Sequence, residues 1–176
     1  MEKISQNELR EAMVSSLPNL WQFAMSLCGR ADMADDLVQD TCIRALERSH
    51  QIYDLTGVQR WLITICRSVW YNERRAQAVR QSKSLDGAEG ASLASELLSA
   101  ETNIFFAEVF TKVMHLPEAQ RSVVVLVLVE GYTYRETAEI LDVPIGTIMS
   151  RLSSARAKLG QHLGETPTQS RKRLEK

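Results

Sequence analysis

One stretch near the C-terminus, YTYRETAEILDVPIGTIMSRLSSARAKL (residues 132–159), restricts the possible folds of this chain more than any other. Thr133 and Glu136 have the spacing of a capping box, which predicts that a helix begins at this threonine. Val143 and Pro144 predict a turn, because proline disfavours helical conformation in the preceding residue and suits the first turn of a new helix. The apolar residues that follow have the spacing of one buried helix face: Ile148, Leu152, Ala155 and Leu159. The stretch therefore predicts two helices joined by a tight turn, the helix-turn-helix plan.

Helical periodicity also covers most of the remaining chain, so the sequence predicts an all-α fold. The segment that starts at residue 81 is rich in Ser, Ala and Gly, which is the composition of a flexible linker. We therefore predict two small helical domains joined by a flexible linker, with the helix-turn-helix in the C-terminal one. The predicted bounds are 1–80 for the N-terminal domain, 81–103 for the linker, 104–163 for the helix-turn-helix domain and 164–176 for a mobile basic tail.

Some local details of these helices can be predicted as well. Pro18 could divide the first helix, expected over residues 9–27, because an internal proline removes a backbone hydrogen bond. Asp32 is expected to be the N-cap of the second helix, with Asp35 as an acid of its first turn. The apolar run 123–129 favours a strand by propensity, but the helical spacing on both sides predicts a buried helix. The face of the second helix that is expected to point inward carries Leu37, Val38, Thr41, Cys42, Ala45 and Leu46.

The composition argues against several classes of protein. Of the 176 residues, 44% are hydrophobic and 24% are charged, which is typical of a globular protein. The longest apolar run is far shorter than the roughly 20 residues of a membrane-spanning helix. The N-terminus lacks an apolar signal core, so we predict a cytoplasmic protein without membrane insertion. The three cysteines and three histidines lack metal-ligand spacing, and no nucleophile–base set or phosphate loop is present. The sequence therefore predicts no enzyme, no cofactor, no metal site and no small-molecule substrate.

The near-neutral charge of the chain conceals two basic segments. The formal net charge is −1, yet residues 59–83 and 143–176 each carry a net charge of +5, and the segments around them are acidic. Two localised positive faces fit two contacts with a polyanion better than a uniformly basic surface does.

The second helix of the predicted helix-turn-helix carries hydroxyls and cations opposite its buried face. Small hydroxyl side chains let a helix enter the major groove closely, while arginine binds guanine edges or phosphates. The residues on this face are Thr147, Ser150, Arg151, Ser154, Arg156 and Lys158. A helical hairpin with a solvated basic face is the alternative interpretation.

The stretch DDLVQDTCIRALER carries a polar stripe on one side of the second helix. Helical spacing places four polar residues on this stripe: Asp36, Gln39, Asp40 and Arg44. An ordinary solvated helix face has the same pattern, so the stripe alone does not establish a binding surface.

The stretch WLITICRSVWYNERR mixes aromatic and basic side chains on the third helix. Aromatic rings beside cations are what stacking on unpaired bases requires. The residues concerned are Trp61, Trp70 and Tyr71, interleaved with Arg67, Asn72, Arg74 and Arg75. The alternative is an aromatic core with surface arginines, which suits Trp61 best and Tyr71 least.

Four motifs together make the sequence resemble a bacterial RNA polymerase sigma factor of the extracytoplasmic-function (ECF) type, in its minimal two-domain form. In chain order they are ADDLVQDTCIRALE, WLITICRSVWYNERR, LPEAQRSVVVLVLVEGYTYRETAEIL and VPIGTIMSRLSSARAKL. The resemblance spans residues 10–162. It implies a transcription-initiation subunit that binds core RNA polymerase and promoter DNA. It also implies a role in a stress or envelope response and regulation by an anti-sigma factor.

The resemblance assigns a role to each candidate residue. The first motif would dock on the clamp helices of the polymerase through Asp36, Gln39, Asp40 and Arg44. The second motif would bind the opening strands of the minus-ten element through Arg67, Ser68, Tyr71, Asn72, Arg74 and Arg75. The helix-turn-helix would read the minus-thirty-five element through Arg135, Thr147, Ser150, Arg151, Arg156 and Lys158.

Three positions depart from the family pattern. Ser68 stands where asparagine is frequent, which weakens the expectation of base capture at this position. Met149 and Ser154 stand where basic residues are frequent, so fewer phosphate contacts and an altered promoter preference are expected.

Two other functions have to be distinguished from that of a sigma factor. A sigma-like decoy or adaptor would bind an anti-sigma protein without DNA. Such a protein would lose the basic residues that this chain retains, namely Arg67, Arg74, Arg75, Arg151, Arg156 and Lys158. A stand-alone helix-turn-helix regulator would bind duplex DNA only, which leaves the aromatic and basic motif of the N-terminal domain unexplained.

Overall fold

The computed structural model describes residues 4–81 and 104–163. Within these residues all regular secondary structure is helical, which confirms the predicted all-α fold. The chain divides into two compact units, Met1–Ser95 and Glu96–Lys176, as expected for two helical domains. The predicted linker beyond Gln81 and the predicted C-terminal tail lie outside the described residues.

The N-terminal unit is a bundle of three helices, α1 (Gln6–Cys28), α2 (Ala31–Glu47) and α3 (Val58–Gln81). Two short 3-10 turns, Ser49–Gln51 and Leu55–Gly57, connect α2 to α3. Each of the three helices packs against the other two, so that apolar side chains from all of them leave water together. Fully buried side chains of this core include Leu20, Phe23, Leu27, Leu62, Ile63 and Val69.

Helix α1 is continuous, so the predicted division at Pro18 is wrong. Met13 and Leu20 lie on either side of the proline, and both are buried in the same core. This packing keeps the two halves of the helix aligned although Pro18 has no backbone N–H to donate. The helix ends at Gly29, whose left-handed conformation (φ 75°) lets its N–H bond the carbonyl of Met25 at 2.9 Å.

Helix α2 begins at Ala31, with Arg30 at the N-cap, so the prediction of Asp32 as the N-cap is wrong. Asp32 lies within the first turn, where its carboxylate accepts hydrogen bonds from the Arg30 guanidinium. Its negative charge also interacts favourably with the positive end of the helix dipole. Asp35 lies beyond the first turn and accepts a hydrogen bond from Trp21 Nε1 of α1 at 2.8 Å. Both carboxylates accept hydrogen bonds from side chains, and Arg30 at the N-cap makes no side-chain hydrogen bond to the helix.

One apolar residue of α2 lies outside the buried face that was predicted for it. The buried side chains follow the line of Ala34, Leu37, Thr41 and Ala45. Leu46 lies at the edge of this line near the end of the helix and is exposed. The prediction that it points inward is therefore wrong.

The C-terminal unit contains α4 (Ile104–Met114), α5 (Glu118–Val124), α6 (Tyr134–Leu141) and α7 (Ile145–Leu163). A π-helical turn, Val125–Val129, continues α5. This result confirms that the valine-rich run is helical and not a strand. Helix α7 packs against α5 and α6, and the buried core side chains include Val123, Leu126, Ile140, Ile148 and Leu152.

Helices α6 and α7 form the predicted helix-turn-helix. The capping box is present: Thr133 Oγ1 accepts from the Glu136 N–H at 3.2 Å, and a Glu136 carboxylate oxygen accepts from the Thr133 N–H at 2.9 Å. Asp142 ends α6 in the left-handed conformation (φ 52°), and the Val143 N–H bonds the carbonyl of Ala138 at 3.1 Å. These bonds fix the direction in which α7 leaves the turn.

Candidate nucleic-acid and polymerase interfaces

Helix α7 presents the candidate surface for duplex DNA. The core side of this helix is occupied by Ile148, Leu152 and Ala155, each at most 1% exposed. The predicted contacts on the rest of the helix are all exposed or half-buried: Thr147, Ser150, Arg151, Arg156 and Lys158. Arg135 lies on the neighbouring helix α6 and is also exposed. The helix-turn-helix thus holds all six residues on one unit, with cations accessible to a ligand and the exposed Ser150 hydroxyl donating to the carbonyl of Thr147 at 3.0 Å.

A groove of about 450 Å³ lies between α6 and the first turn of α7. Its lining includes the basic residue Arg135, the acidic residues Glu139 and Asp142, and the apolar residue Ile145. With two carboxylates against one cation, the groove itself lacks the positive charge that a phosphate site needs. The remaining predicted cations of this surface all lie on α7.

The polar stripe of α2 is partly accessible, as a docking surface requires. Asp36 and Gln39 are exposed, whereas Asp40 and Arg44 are half-buried. The stripe continues onto α3 through Glu73, whose pKa is affected by Asp36, Asp40 and Arg44 of the stripe. Glu73 was not among the residues selected from the sequence, because only the packing of α2 on α3 brings it to the stripe.

The environment of Glu73 raises its pKa above the ordinary value of 4.5. Partial burial is the largest cause, because it disfavours the charged form of the carboxyl group. The charge of Asp40 and the hydrogen bond with it act in the same direction, as does Asp36 more weakly, while Arg44 opposes them. Glu73 is therefore protonated more readily than an isolated glutamate.

Glu73→Gln is expected to stabilise the chain at neutral pH. A raised pKa in the native state means that protonated Glu73 stabilises the fold fully below the unfolded-state pKa, and that this contribution is lost as the pH rises through the native pKa. Glutamine resembles the protonated side chain and cannot ionise. The variant should therefore have a higher midpoint of thermal unfolding at pH 7 than the parent chain, with the difference shrinking towards pH 4, as followed by circular dichroism.

Glu11→Gln on α1 is the matched control for this change, since it removes the same charge from an exposed position of the same unit. Equal shifts of the unfolding midpoint for Glu73→Gln and Glu11→Gln at every pH would show that the carboxyl pair has no special effect.

The aromatic and basic residues of α3 separate into a buried and an exposed group. Trp70 is only 6% exposed, so it belongs to the core and its ring is not available for stacking on a base. Tyr71 is 40% exposed, and the Arg67 guanidinium lies over its ring, 5.5 Å from the centroid. The Arg74 guanidinium lies over the ring of Trp70 at 5.4 Å. Tyr71 is thus the most exposed aromatic residue of this motif, and it lies beside the arginines.

The other predicted minus-ten residues lie on the same helix. Asn72, Arg74 and Arg75 are exposed, and Ser68 is half-buried. The Ser68 hydroxyl donates a hydrogen bond to the carbonyl of Thr64 at 3.0 Å. Since this hydroxyl already has a backbone partner, Ser68 is a weaker candidate for a base contact than its exposed neighbours.

The three cysteines come from the three helices of the N-terminal unit and are free thiols. Cys66 is buried, and burial raises the pKa of its thiol to about 12. Cys28 and Cys42 are half-buried. Within residues 4–81 and 104–163, no three His, Cys, Asp or Glu side chains are arranged to hold a metal ion. No helix in these ranges combines the length and apolar character needed to cross a membrane.

Both units match the family models of sigma-70 proteins. Residues 13–80 match sigma-70 region 2, and residues 107–159 match sigma-70 region 4. The three-helix unit therefore corresponds to region 2 and the helix-turn-helix unit to region 4. The fold and its surfaces define the chain as an RNA polymerase sigma factor.

Relatives that match over most of their length define the type of sigma factor. The chain is 35% identical over 153 residues to the ECF RNA polymerase sigma factor EcfG of Rhodopseudomonas palustris, with 87% of this chain and 83% of the relative covered. It is 30% identical over 154 residues to the ECF RNA polymerase sigma factor SigL of Mycobacterium tuberculosis, with 84% and 85% covered. The chain belongs to the ECF RNA polymerase sigma factors, the subunits that direct core RNA polymerase to specific promoters.

A solved structure with the same fold covers nearly the whole chain. It is the sigma factor RpoE of Bartonella quintana in complex with the anti-sigma factor NepR, with a TM-score of 0.69 and 29% sequence identity. The match covers 90% of this chain and 98% of that one. The resemblance inferred from the four sequence motifs is thus confirmed at the level of both sequence and fold.

Proposed function

We propose that this sigma factor contacts its partners through three surfaces on the two units. The minus-thirty-five element is bound by Arg135, Thr147, Ser150, Arg151, Arg156 and Lys158. The minus-ten element is bound by Arg67, Ser68, Tyr71, Asn72, Arg74 and Arg75. Core RNA polymerase is bound by Asp36, Gln39, Asp40 and Arg44. The observation that carries this assignment is the accessibility of each set on a single helix or helix pair.

The two DNA surfaces suit different forms of DNA. Helix α7 offers small hydroxyls between cations, which suits base edges and phosphates in the major groove of a duplex. Helix α3 offers the exposed ring of Tyr71 beside arginines, which suits unpaired bases that stack on an aromatic side chain. The polar stripe on α2 carries more acidic than basic residues. It would therefore repel DNA and suits a basic protein surface.

The proposed activity is binding and positioning, without catalysis by this chain. It requires no cofactor and no small-molecule substrate, and we place it in the cytoplasm, where the chain meets RNA polymerase and DNA. The similarity to the sigma factor that was solved with NepR further supports control by an anti-sigma factor. We infer that such a protein holds this chain inactive until a stress or envelope signal releases it.

Run-off transcription with purified core polymerase tests the proposed function. Addition of the chain should produce transcripts from a specific subset of templates in a genomic library, whereas core polymerase alone should not. Arg151→Ala should reduce these transcripts, and Arg10→Ala, which removes an exposed cation of α1 outside all three surfaces, should not. Transcription that stays at the level of core polymerase on every template would contradict the proposal and would favour the decoy or the stand-alone regulator.

A further inference from the structure

Two large apolar side chains on α7 are exposed and do not belong to the buried core. Ile145 is 45% exposed and Met149 is 50% exposed, although Ile148 and Leu152 beside them are almost fully buried. Ile145 and Met149 are four residues apart and therefore lie one above the other on the same side of the helix. We call this pair the apolar stripe of α7.

The residues around the stripe have small side chains or none. Gly146 has no neighbouring atom within 4 Å of the position where a Cβ would stand, and Ser150 and Ser153 are exposed small residues. Met149 is thus the largest apolar group on the outer side of the first turns of α7, and Ile145, one turn before it, borders the groove against α6. They are placed to contact a surface that approaches this helix closely.

The charge of α7 restricts what that surface can be. Residues 143–159 contain Arg151, Arg156 and Lys158 and no acidic residue. Ile145 also borders Glu139 and Asp142 of the groove, but all the charged residues of α7 up to residue 159 are cations. An apolar stripe on such a helix fits a polyanion that also presents apolar groups. The major groove of DNA has this combination. The phosphates beside it carry negative charge, and the 5-methyl group of thymine is the apolar group on its base edges.

We propose that Ile145 and Met149 read the 5-methyl groups of thymines in the minus-thirty-five duplex. This inference rests on the proposed function and adds two specificity residues to it. Methionine suits the task because its unbranched, polarizable side chain adapts to an irregular apolar surface. A basic residue at position 149 would contact a phosphate, which DNA of any sequence offers. Methionine at this position would instead contact a base, and that contact depends on the DNA sequence.

Single replacements of thymine by deoxyuridine test this proposal, because deoxyuridine lacks only the 5-methyl group. The probe is the holoenzyme, reconstituted from the full chain and core polymerase, with a minus-thirty-five duplex taken from a template that is active in run-off transcription. We expect that at least one replacement weakens binding about threefold to fivefold, which corresponds to the burial of one methyl group. Binding is measured by competition against the unmodified duplex.

Variants of the stripe assign the effect to its residues. Met149→Ala should weaken binding to the unmodified duplex by a similar factor and should abolish the difference between thymine and deoxyuridine at one position. Met149→Leu retains an apolar side chain and should retain that difference. Ile145→Ala should act in the same way at a neighbouring position. Val14→Ala, an exposed apolar truncation on α1, is the control that should change neither measurement.

Two outcomes would overturn the proposal while leaving the proposed function intact. One is sequence-specific binding that is insensitive to every thymine replacement. The other is that Met149→Ala and Ile145→Ala both keep the full difference between thymine and deoxyuridine at every position, which would show that other residues read the methyl groups. A holoenzyme that does not prefer the minus-thirty-five duplex over a scrambled one would overturn both proposals.

Discussion

Phe23→Ala is expected to lower the free energy of unfolding of the N-terminal unit by about 3–5 kcal/mol. Phe23 is 0% exposed on α1, the helix that packs against both α2 and α3, so truncation leaves a cavity that the three helices cannot readily close. Small domains are stable by only about 5–15 kcal/mol. The variant should therefore lose transcription at elevated temperature, and chemical denaturation followed by circular dichroism measures the loss of stability.

Phe23→Leu is the matched control, because it keeps most of the apolar volume and should cost clearly less stability. Binding of a minus-thirty-five duplex provides a second readout, since the residues proposed for it all lie in the other unit. A loss of stability that is as large for leucine as for alanine would show that ring volume is not what stabilises this position.

Tyr71→Ala is expected to weaken the binding of single-stranded minus-ten DNA to the holoenzyme by about 1–3 kcal/mol, the value of one base stacked on an aromatic ring. The ring of Tyr71 is exposed, and the Arg67 guanidinium lies over it. The cation is attracted to the ring and places positive charge beside the proposed stacking site. Fluorescence anisotropy with a labelled non-template oligonucleotide measures the effect.

Tyr71→Phe retains the ring and should bind nearly as well as the parent chain. Gln77→Ala, an exposed position further along α3, controls for general effects on the helix. If Tyr71→Phe is as weak as Tyr71→Ala, the hydroxyl and not the ring makes the contact. If Tyr71→Ala binds as tightly as the parent chain, Tyr71 does not stack on a base.

The helix-turn-helix could be predicted almost completely, because its signals are local in the sequence. The capping box of Thr133 and Glu136 forms as expected, and Ile148 and Leu152 occupy the predicted core side of α7. Each of these features depends on residues within one or two helical turns. Periodicity and capping chemistry are therefore sufficient to place them.

The details that the sequence did not reveal depend on contacts between helices. Glu73 lies beside the polar stripe of α2 only because α3 packs against α2. Similarly, the pattern of aromatic residues shows that Trp70 and Tyr71 are neighbours, but only the packed bundle shows which of them is buried.

The π-helical turn at Val125–Val129 gives α5 one residue more than a regular α-helix would need to span the same path. Its Glu130 N–H bonds the carbonyl five residues back at 2.9 Å, and Leu126 stays buried while Leu128 and Val129 face outward. The surplus residue is thus accommodated without disturbing the core. In evolutionary terms, loss of this one residue would return the turn to regular α-helical geometry. A sequence alignment of relatives should then tolerate a single-residue gap inside α5, and not only in the loops beside it.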